Sequence, residues 1–505
     1  MRNFTLTTLL FYFFLNVHAQ QFSELYDYGD FANDGSTIVK TNNGYLSNHS
    51  SNDLVNWRLS TLITHHNLSG NLLWGLSLSD ENHIFTQSDK NFCIAFDSIN
   101  NNYFIAGNFA ESDTSADCPF LLKITSEGQI LDTIYYSNLS IEHVFGFRVT
   151  IVGNTIYYLC QNHNLSQSYL LQCNLNGSYL NHTVSAIGVQ SDPKFITDVG
   201  DGLVIGGRYL PSGASNNSIQ YVRKFDYEGN ELWTNEYTNG NDQLGAVNAV
   251  PLPNGNVLFA ATRNNNLGDY SDLQPFIGEI DNTSGDTLWT RAYLHPDSIR
   301  QVHNFKRLST GEYILIGESR EQMPQFTWDN YITASFIMKL DSEFNLLWKR
   351  IYVPENYAAG VGPLPTCKLN DFVENEDGGI TALGMAFTYT GTGLQSGYIQ
   401  DSWLMRVDRE GCLVSGCAVD ITEHQNDKHL FVYPNPASDV LNIQFPHLDK
   451  WQVSIYNMQG ALVKEEQPNQ LLQYSMDVKE WPSGVYTVLC KDTNGKMFAE
   501  KVVKP

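Results

Sequence analysis

His65 and His66 are the only adjacent histidines in the chain, and two imidazoles side by side are the first arrangement to test for a metal. They fall near the end of a strand-like run, where successive side chains point to opposite faces. Such a pair does not converge on one ion, so the expectation is an exposed turn without a metal. Asp281, Asp286 and Asp341 lie in turn sequences, where Asp side chains bond to nearby backbone. No Asp-x-Asp-x-Asp-Gly run accompanies them, so they do not predict a calcium loop. His-Glu-x-x-His, Gly-x-Ser-x-Gly, a P-loop and Cys-x-x-Cys are all missing from the sequence. No catalytic residue, metal or cofactor is therefore expected.

Binding chemistry is better represented. Tyr270, Phe326, Trp328 and Tyr398 sit in the polar segments 264–274, 321–331 and 388–401. Together with 111–118 and 211–219, these segments share one position in a repeat, so they are expected to gather at one end of the fold. Aromatic tips of this kind stack on a sugar or a peptide, or else pack locally. Among the eight cysteines, Cys160 and Cys173 lie on successive strand-like runs, and Cys412 and Cys417 bracket a short turn. Both pairs are candidate bridges; geometry decides between a disulfide and buried thiols.

The elements that must hold these residues follow from the repeat. The chain has 505 residues, 42% hydrophobic, 12% aromatic and 17% charged, with a formal charge of −24. Such a composition is β-rich and turn-rich and excludes coiled coil, collagen and wholesale disorder. Its negative charge excludes a general attraction to nucleic acid or to an anionic membrane. Between residues 35 and 417 a unit recurs at a spacing of about 50–60 residues. Each unit has an apolar strand ending near Gly, a variable segment, a second apolar strand, a tight turn with Gly, and then Leu-Trp or an equivalent. Its turns fall at Gly70, Gly128, Gly177, Gly229, Gly285, Phe344 and Gly411. Strand-only units of this length predict a seven-bladed β-propeller. Asp281 to Trp289 resembles the tryptophan-docking turn of quinoprotein-type propellers, which implies a packing device and not a quinone. The last unit lacks a Trp-x-x-x-Tyr ending, and Glu24-Leu-Tyr-Asp-Tyr28 supplies a similar one. The N-terminal strand is therefore expected to complete the last blade and close the ring.

The two ends give the address. Arg2, an apolar run from Leu9 to Leu15 and Val17-His18-Ala19 read as a secretory signal peptide, 1–19, too short for a membrane span. The propeller then covers 20–417, a polar linker 418–428 and a small antiparallel β-sandwich 429–505. The last segment holds Tyr433-Pro434-Asn435-Pro436-Ala437, Val453 to Gly460, Trp481-Pro-Ser-Gly484-Val-Tyr486 and Lys501-Val-Val-Lys504. It resembles the type A C-terminal sorting domain of type IX secretion cargo. That resemblance covers 429–505 and implies that the outer-membrane secretion machinery recognises these motifs. It also implies passage through the periplasm to the medium or the cell surface. A final Pro505 departs from the usual basic end. The mature chain is expected to be a monomer without an integral membrane segment. Its expected function is binding of an extracellular glycan, peptide or protein; the alternative is an exported hydrolase or lyase with a site at the central channel.

Overall fold

A computed structural model describes residues 21–28, 31–53, 59–78, 84–86, 93–110, 118–137, 144–162, 167–184, 189–210, 219–237, 247–264, 273–293, 300–322, 331–354, 366–390, 397–413, 430–433, 437–493 and 497–504. All regular structure in these residues is β. The chain divides into two compact units, Met1–Ala418 and Val419–Pro505.

In the first unit, seven antiparallel four-stranded blades follow one another. Their inner strands are Phe31–Lys40, Ile94–Asp97, Val144–Val152, Val189–Asp198, Asn248–Pro251, Arg300–Arg307 and Thr366–Glu374. Each inner strand adjoins that of the next blade, and the seventh adjoins the first, so the ring is closed. In blade 2 the inner position is split, with Ile84–Thr86 and Ile94–Asp97 both pairing with Asn102–Ala110. The second strands of the blades are near-continuous apolar runs. Phe104, Ile105, Val204, Ile314, Leu315 and Ile316 are fully buried, as strands covered on both faces by adjacent blades must be.

The N-terminal strand closes the ring as its sequence predicts. Phe22–Tyr26 pairs antiparallel with Gly397–Val407, from Phe22 opposite Arg406 to Tyr26 opposite Ser402. It is the outer strand of blade 7. Strand alternation sends Leu25 into the core shared with blade 6 and Tyr26 into the cluster shared with blade 1.

The turn residues explain how blades lock together. At Gly285 the backbone has φ +80°, a conformation that L side chains resist, and an added Cβ would meet the Trp233 ring at 2.8 Å. Glycine is needed there twice over, for the turn and for the ring of the preceding blade. Trp74 docks on the Gly128 turn and Trp348 on the Gly411 turn in the same way. Trp289 meets Phe344 with ring centroids 5.0 Å apart, and Phe344 holds φ +66° without being glycine. Ile134 and Thr183 take the docking position in blades 2 and 3. Phe22 takes it for blade 7, against Gly70 of blade 1, and the circle is complete. The hydroxyls of Tyr136, Tyr293 and Tyr352 add hydrogen bonds to the carbonyls of Gly177, Phe344 and Gly411, at 2.7–2.8 Å.

The second unit is a sandwich. Phe431–Tyr433, Val440–Lys450 and Asn469–Asp477 form one sheet. The other contains Leu462–Glu466, Gln452–Asn457, Gly484–Lys491 and Met497–Lys504. Leu441, Ile443, Val453, Ile455, Trp451 and Val488 share its core.

Three expectations are corrected. Cys160 lies opposite Tyr169 and Cys173 opposite Ile156, four residues apart along the hairpin; both are free buried thiols. His65 and His66 are not in an exposed turn: both are buried within the strand Leu59–Asn67. Tyr398 is not at a loop tip, because it pairs opposite Tyr389 inside the strand Gly397–Val407. Cys412 is disulfide-bonded, and its expected partner Cys417 lies outside the described residues.

Candidate binding face

Antiparallel strands fix which connections share an end of the ring. The segments 111–117, 211–218, 265–272, 323–330 and 391–396 leave from the C-terminal ends of the second strands. The first halves of the inner strands stand at that same end. Here five inner strands bulge, at Ser36, Phe147, Lys194, His303 and Asn370. A bulge inserts one residue and re-aims its side chain. Glycine on the second strand makes the room: a Cβ on Gly317 would meet the Gln301 carbonyl oxygen at 1.9 Å, and one on Gly384 that of Lys368 at the same distance.

The re-aimed and neighbouring side chains form a charged rim. His303 Nδ1 donates to the Leu369 carbonyl at 2.9 Å, and its Nε2 stands 3.8 Å from Glu318 Oε2. Lys368 pairs with Asp34 at 3.0 Å. Asn370 donates to Asp34 Oδ1 and to the Gly35 carbonyl, each at 2.8 Å. Blades 6, 7 and 1 thus present an imidazole, two carboxylates and an ammonium together. Burial lowers the His303 pKa, and Lys368 acts in the same direction against Glu318 and Asp34. Across the ring, Asp192 pairs with Lys194 at 2.7 Å and Arg208 at 3.3 Å. Arg148 Nε donates to the Lys194 carbonyl at 2.6 Å.

Below this rim a polar belt ties the blades. Asn248 donates to the Phe305 carbonyl at 2.6 Å, and Asn304 donates to Asp371 Oδ1 at 2.7 Å. Asp371 also accepts from Lys306 at 2.6 Å and from the Ile38 amide at 3.0 Å. The buried carboxylate is therefore saturated, as a charge out of water must be. Its role is to hold the ring and not to meet a ligand.

Tyr270, Phe326 and Trp328 lie outside the described residues. The rim residues were missed because each is a single polar residue in a different repeat. One signal was available: the glycine ending Tyr313-Ile-Leu-Ile-Gly317 and its counterpart Gly384 face the bulges that carry His303 and Asn370.

In the C-terminal unit the separated motifs converge. Gly460 makes the 457–460 turn with φ +75°, and Gly484 opens the strand that carries Tyr486. Tyr486 is buried, donates to the Pro482 carbonyl at 2.7 Å and lies 4.9 Å from the Trp481 ring. Lys501 and Lys504 pair opposite Thr487 and Gly484. The Ala437 amide donates to the Val503 carbonyl at 2.8 Å. Ala437, Trp481, Tyr486 and Lys504 line one shallow depression. Pro434, Asn435 and Pro436 lie outside the described residues.

Residues 431–504 match the secretion system C-terminal sorting domain. No curated protein matches the sequence. Among solved structures, the β-propeller domain of the Trilobed protease from Pyrococcus furiosus is 8% identical. Its TM-score is 0.41, over 77% of this chain and 99% of that one. A protein from Lactobacillus plantarum is 11% identical with a TM-score of 0.38, over 74% and 95%. Prolyl oligopeptidase B from Galerina marginata is 12% identical with a TM-score of 0.37, over 68% and 45%. At these values the architecture rests on the strand register alone. No described helix is long and apolar enough to cross a membrane. The sorting domain implies interaction with the type IX machinery and export through the periplasm to the cell surface or the medium. The chain is a β-propeller joined to a C-terminal sorting domain of the type IX secretion route.

Proposed function

We propose that the exported propeller is a binding module for an extracellular glycan, peptide or protein, engaged at the end of the ring from which the longer connections leave. The mixed-charge rim carries this reading. Asp34, Lys368, His303 and Glu318 come together from three adjacent blades, and Glu318 keeps about a third of its side chain in solvent. Rigid strands hold these groups while connections supply variety, the usual division of labour at a binding face. A second reading, an exported hydrolase or lyase acting at the channel, is favoured by His303 alone. Its Nδ1 proton is committed to Leu369, which leaves Nε2 as the basic nitrogen of the neutral ring, facing Glu318 Oε2 at 3.8 Å, beyond direct hydrogen-bond reach.

The test uses the full chain on glycan and peptide arrays beside His303→Gln and Glu318→Gln. Binding of one ligand class that weakens about tenfold or more in Glu318→Gln, as loss of a charged contact predicts, supports a binding module. Binding that neither substitution touches refutes the rim as the site. Turnover of the bound ligand that is lost in His303→Gln transfers the assignment to the enzyme reading.

A further inference from the structure

We infer that the seam between blades 7 and 1 is an acid-released latch, in which protonation of His49 and His66 frees the N-terminal strand and opens the ring. This seam differs from its neighbours in chemistry. Among the described residues its fully buried apolar cluster is Ile38, Tyr45, Leu383 and Leu404, with Phe22, Tyr26 and Val373 partly buried against it, whereas the 3/4 seam gathers nine buried residues, from Tyr157 to Phe225. Polar contacts replace the missing core. His49 is fully buried; its Nδ1 lies 2.7 Å from Ser402 Oγ of blade 7, and its Nε2 lies 2.8 Å from Thr64 Oγ1 and 3.1 Å from Ser47 Oγ. His66 Nε2 lies 3.1 Å from the Tyr28 hydroxyl, and its buried Nδ1 has no partner. Tyr26 stacks edge-on against His66 at 4.6 Å, and Tyr28 against His49 at 5.3 Å. The segment that closes the ring therefore rests on two imidazoles.

Neither histidine has a countercharge to receive a proton. From the N-terminal segment they face Tyr26 and Tyr28. From blade 7 they face Ser402, with Arg406 further along, hydrogen-bonded to Tyr45 at 2.6 Å. From blade 1 they face Ser47, Thr64, each other and His65. The one described carboxylate on that face of the N-terminal strand, Glu24, is exposed and acts on Tyr26, not on either imidazole. Asp401 adjoins Ser402 on its strand and so points to the opposite face. Burial is the main cause that lowers His49 to about 3 and His66 to about 4.

The sign follows from linkage. The open seam exposes both rings to water, where they titrate near 6.5, so the closed state is favoured above that pH and loses ground as pH falls toward 4. At pH 5 each ring shifts the open-to-closed ratio by about 20- to 30-fold, and the pair by several hundred-fold.

The experiment is hydrogen exchange on the intact chain at pH 7 and pH 5, corrected for intrinsic rates. It compares residues 22–26 with the outer strand of blade 6, Leu346–Tyr352, which docks on an apolar seam. The latch predicts that protection of 22–26 falls by about several hundred-fold relative to Leu346–Tyr352. A joint His49→Gln and His66→Gln variant is expected to remove most of that difference. Equal loss in both strands of the natural chain overturns the inference, whether or not the variant folds. An undiminished pH response in a folded variant also overturns it.

Discussion

Two glycines with nearly the same backbone isolate what one tryptophan contributes to blade docking. Gly255 has φ +88° and open space where a Cβ would stand; Gly285 has φ +80° and the Trp233 ring at 2.8 Å. Alanine at either site meets a left-handed backbone that costs about 1–2 kcal/mol. At Gly285 it also forces the ring of blade 4 from its place, and overpacking of that kind adds about 1–3 kcal/mol. Gly255→Ala is therefore expected to lose about 1–2 kcal/mol and Gly285→Ala about 2–5 kcal/mol. Urea unfolding of the full-length protein, followed by tryptophan fluorescence and read as the midpoint with unchanged slope, measures both. Adding Trp233→Leu to each variant completes a double-mutant comparison. The coupling should be large with Gly285→Ala and near zero with Gly255→Ala. Equal losses within about 0.5 kcal/mol, with no coupling to Trp233, would show that the seam has slack and that docking does not lock the blades.

Phe344→Gly should relieve a strained φ of +66° yet still destabilise by about 1–3 kcal/mol. The ring it removes lies between Trp289 at 5.0 Å and Tyr313 at 5.3 Å; a gain in stability in urea would refute this. Asp401→Asn should stabilise the protein at pH 7. Burial and then Asp27 raise the Asp401 pKa above its ordinary value, and its Oδ1 has no partner. A carboxyl whose folded pKa is raised gains stability as pH falls through that value toward the unfolded one. The melting-temperature advantage of the variant should accordingly shrink in acid, and an advantage constant from pH 7 to pH 4 would refute the cause.

Repeat length, turn glycines and the Trp that follows them are legible because each is a local requirement that recurs, the glycine in six of seven turns and the Trp in four of seven blades. Ring closure is legible for the same reason: Glu24 to Tyr28 carries the ending that the seventh unit lacks. A bulge leaves almost no local mark, since one inserted residue changes neither composition nor the apolar run beside it. His303 and Asn370 were therefore invisible until the second-strand glycines were paired with them. The Cys160–Cys173 expectation failed on register, which sequence proximity does not fix. His65 and His66 read as a solvated turn because nothing local reveals that Tyr26 and Tyr28, some 40 residues earlier, cover that strand.

Ring closure also sets an order in time. Ser23 and Trp403, joined by a hydrogen bond, are 380 positions apart in the chain. A chain made from its N-terminus delivers the closing segment first and its docking strand nearly last. Bringing those ends together costs about 5 kcal/mol in loop entropy for that separation, against about 1 kcal/mol for one hairpin turn. Blades 1 to 6 can each form from neighbouring sequence, whereas the seventh must wait. Until then the growing arc leaves the Phe22–Tyr26 segment unpaired and an apolar flank of blade 1 uncovered. The interval before closure is when the molecule is most open to aggregation and to capture by other chains.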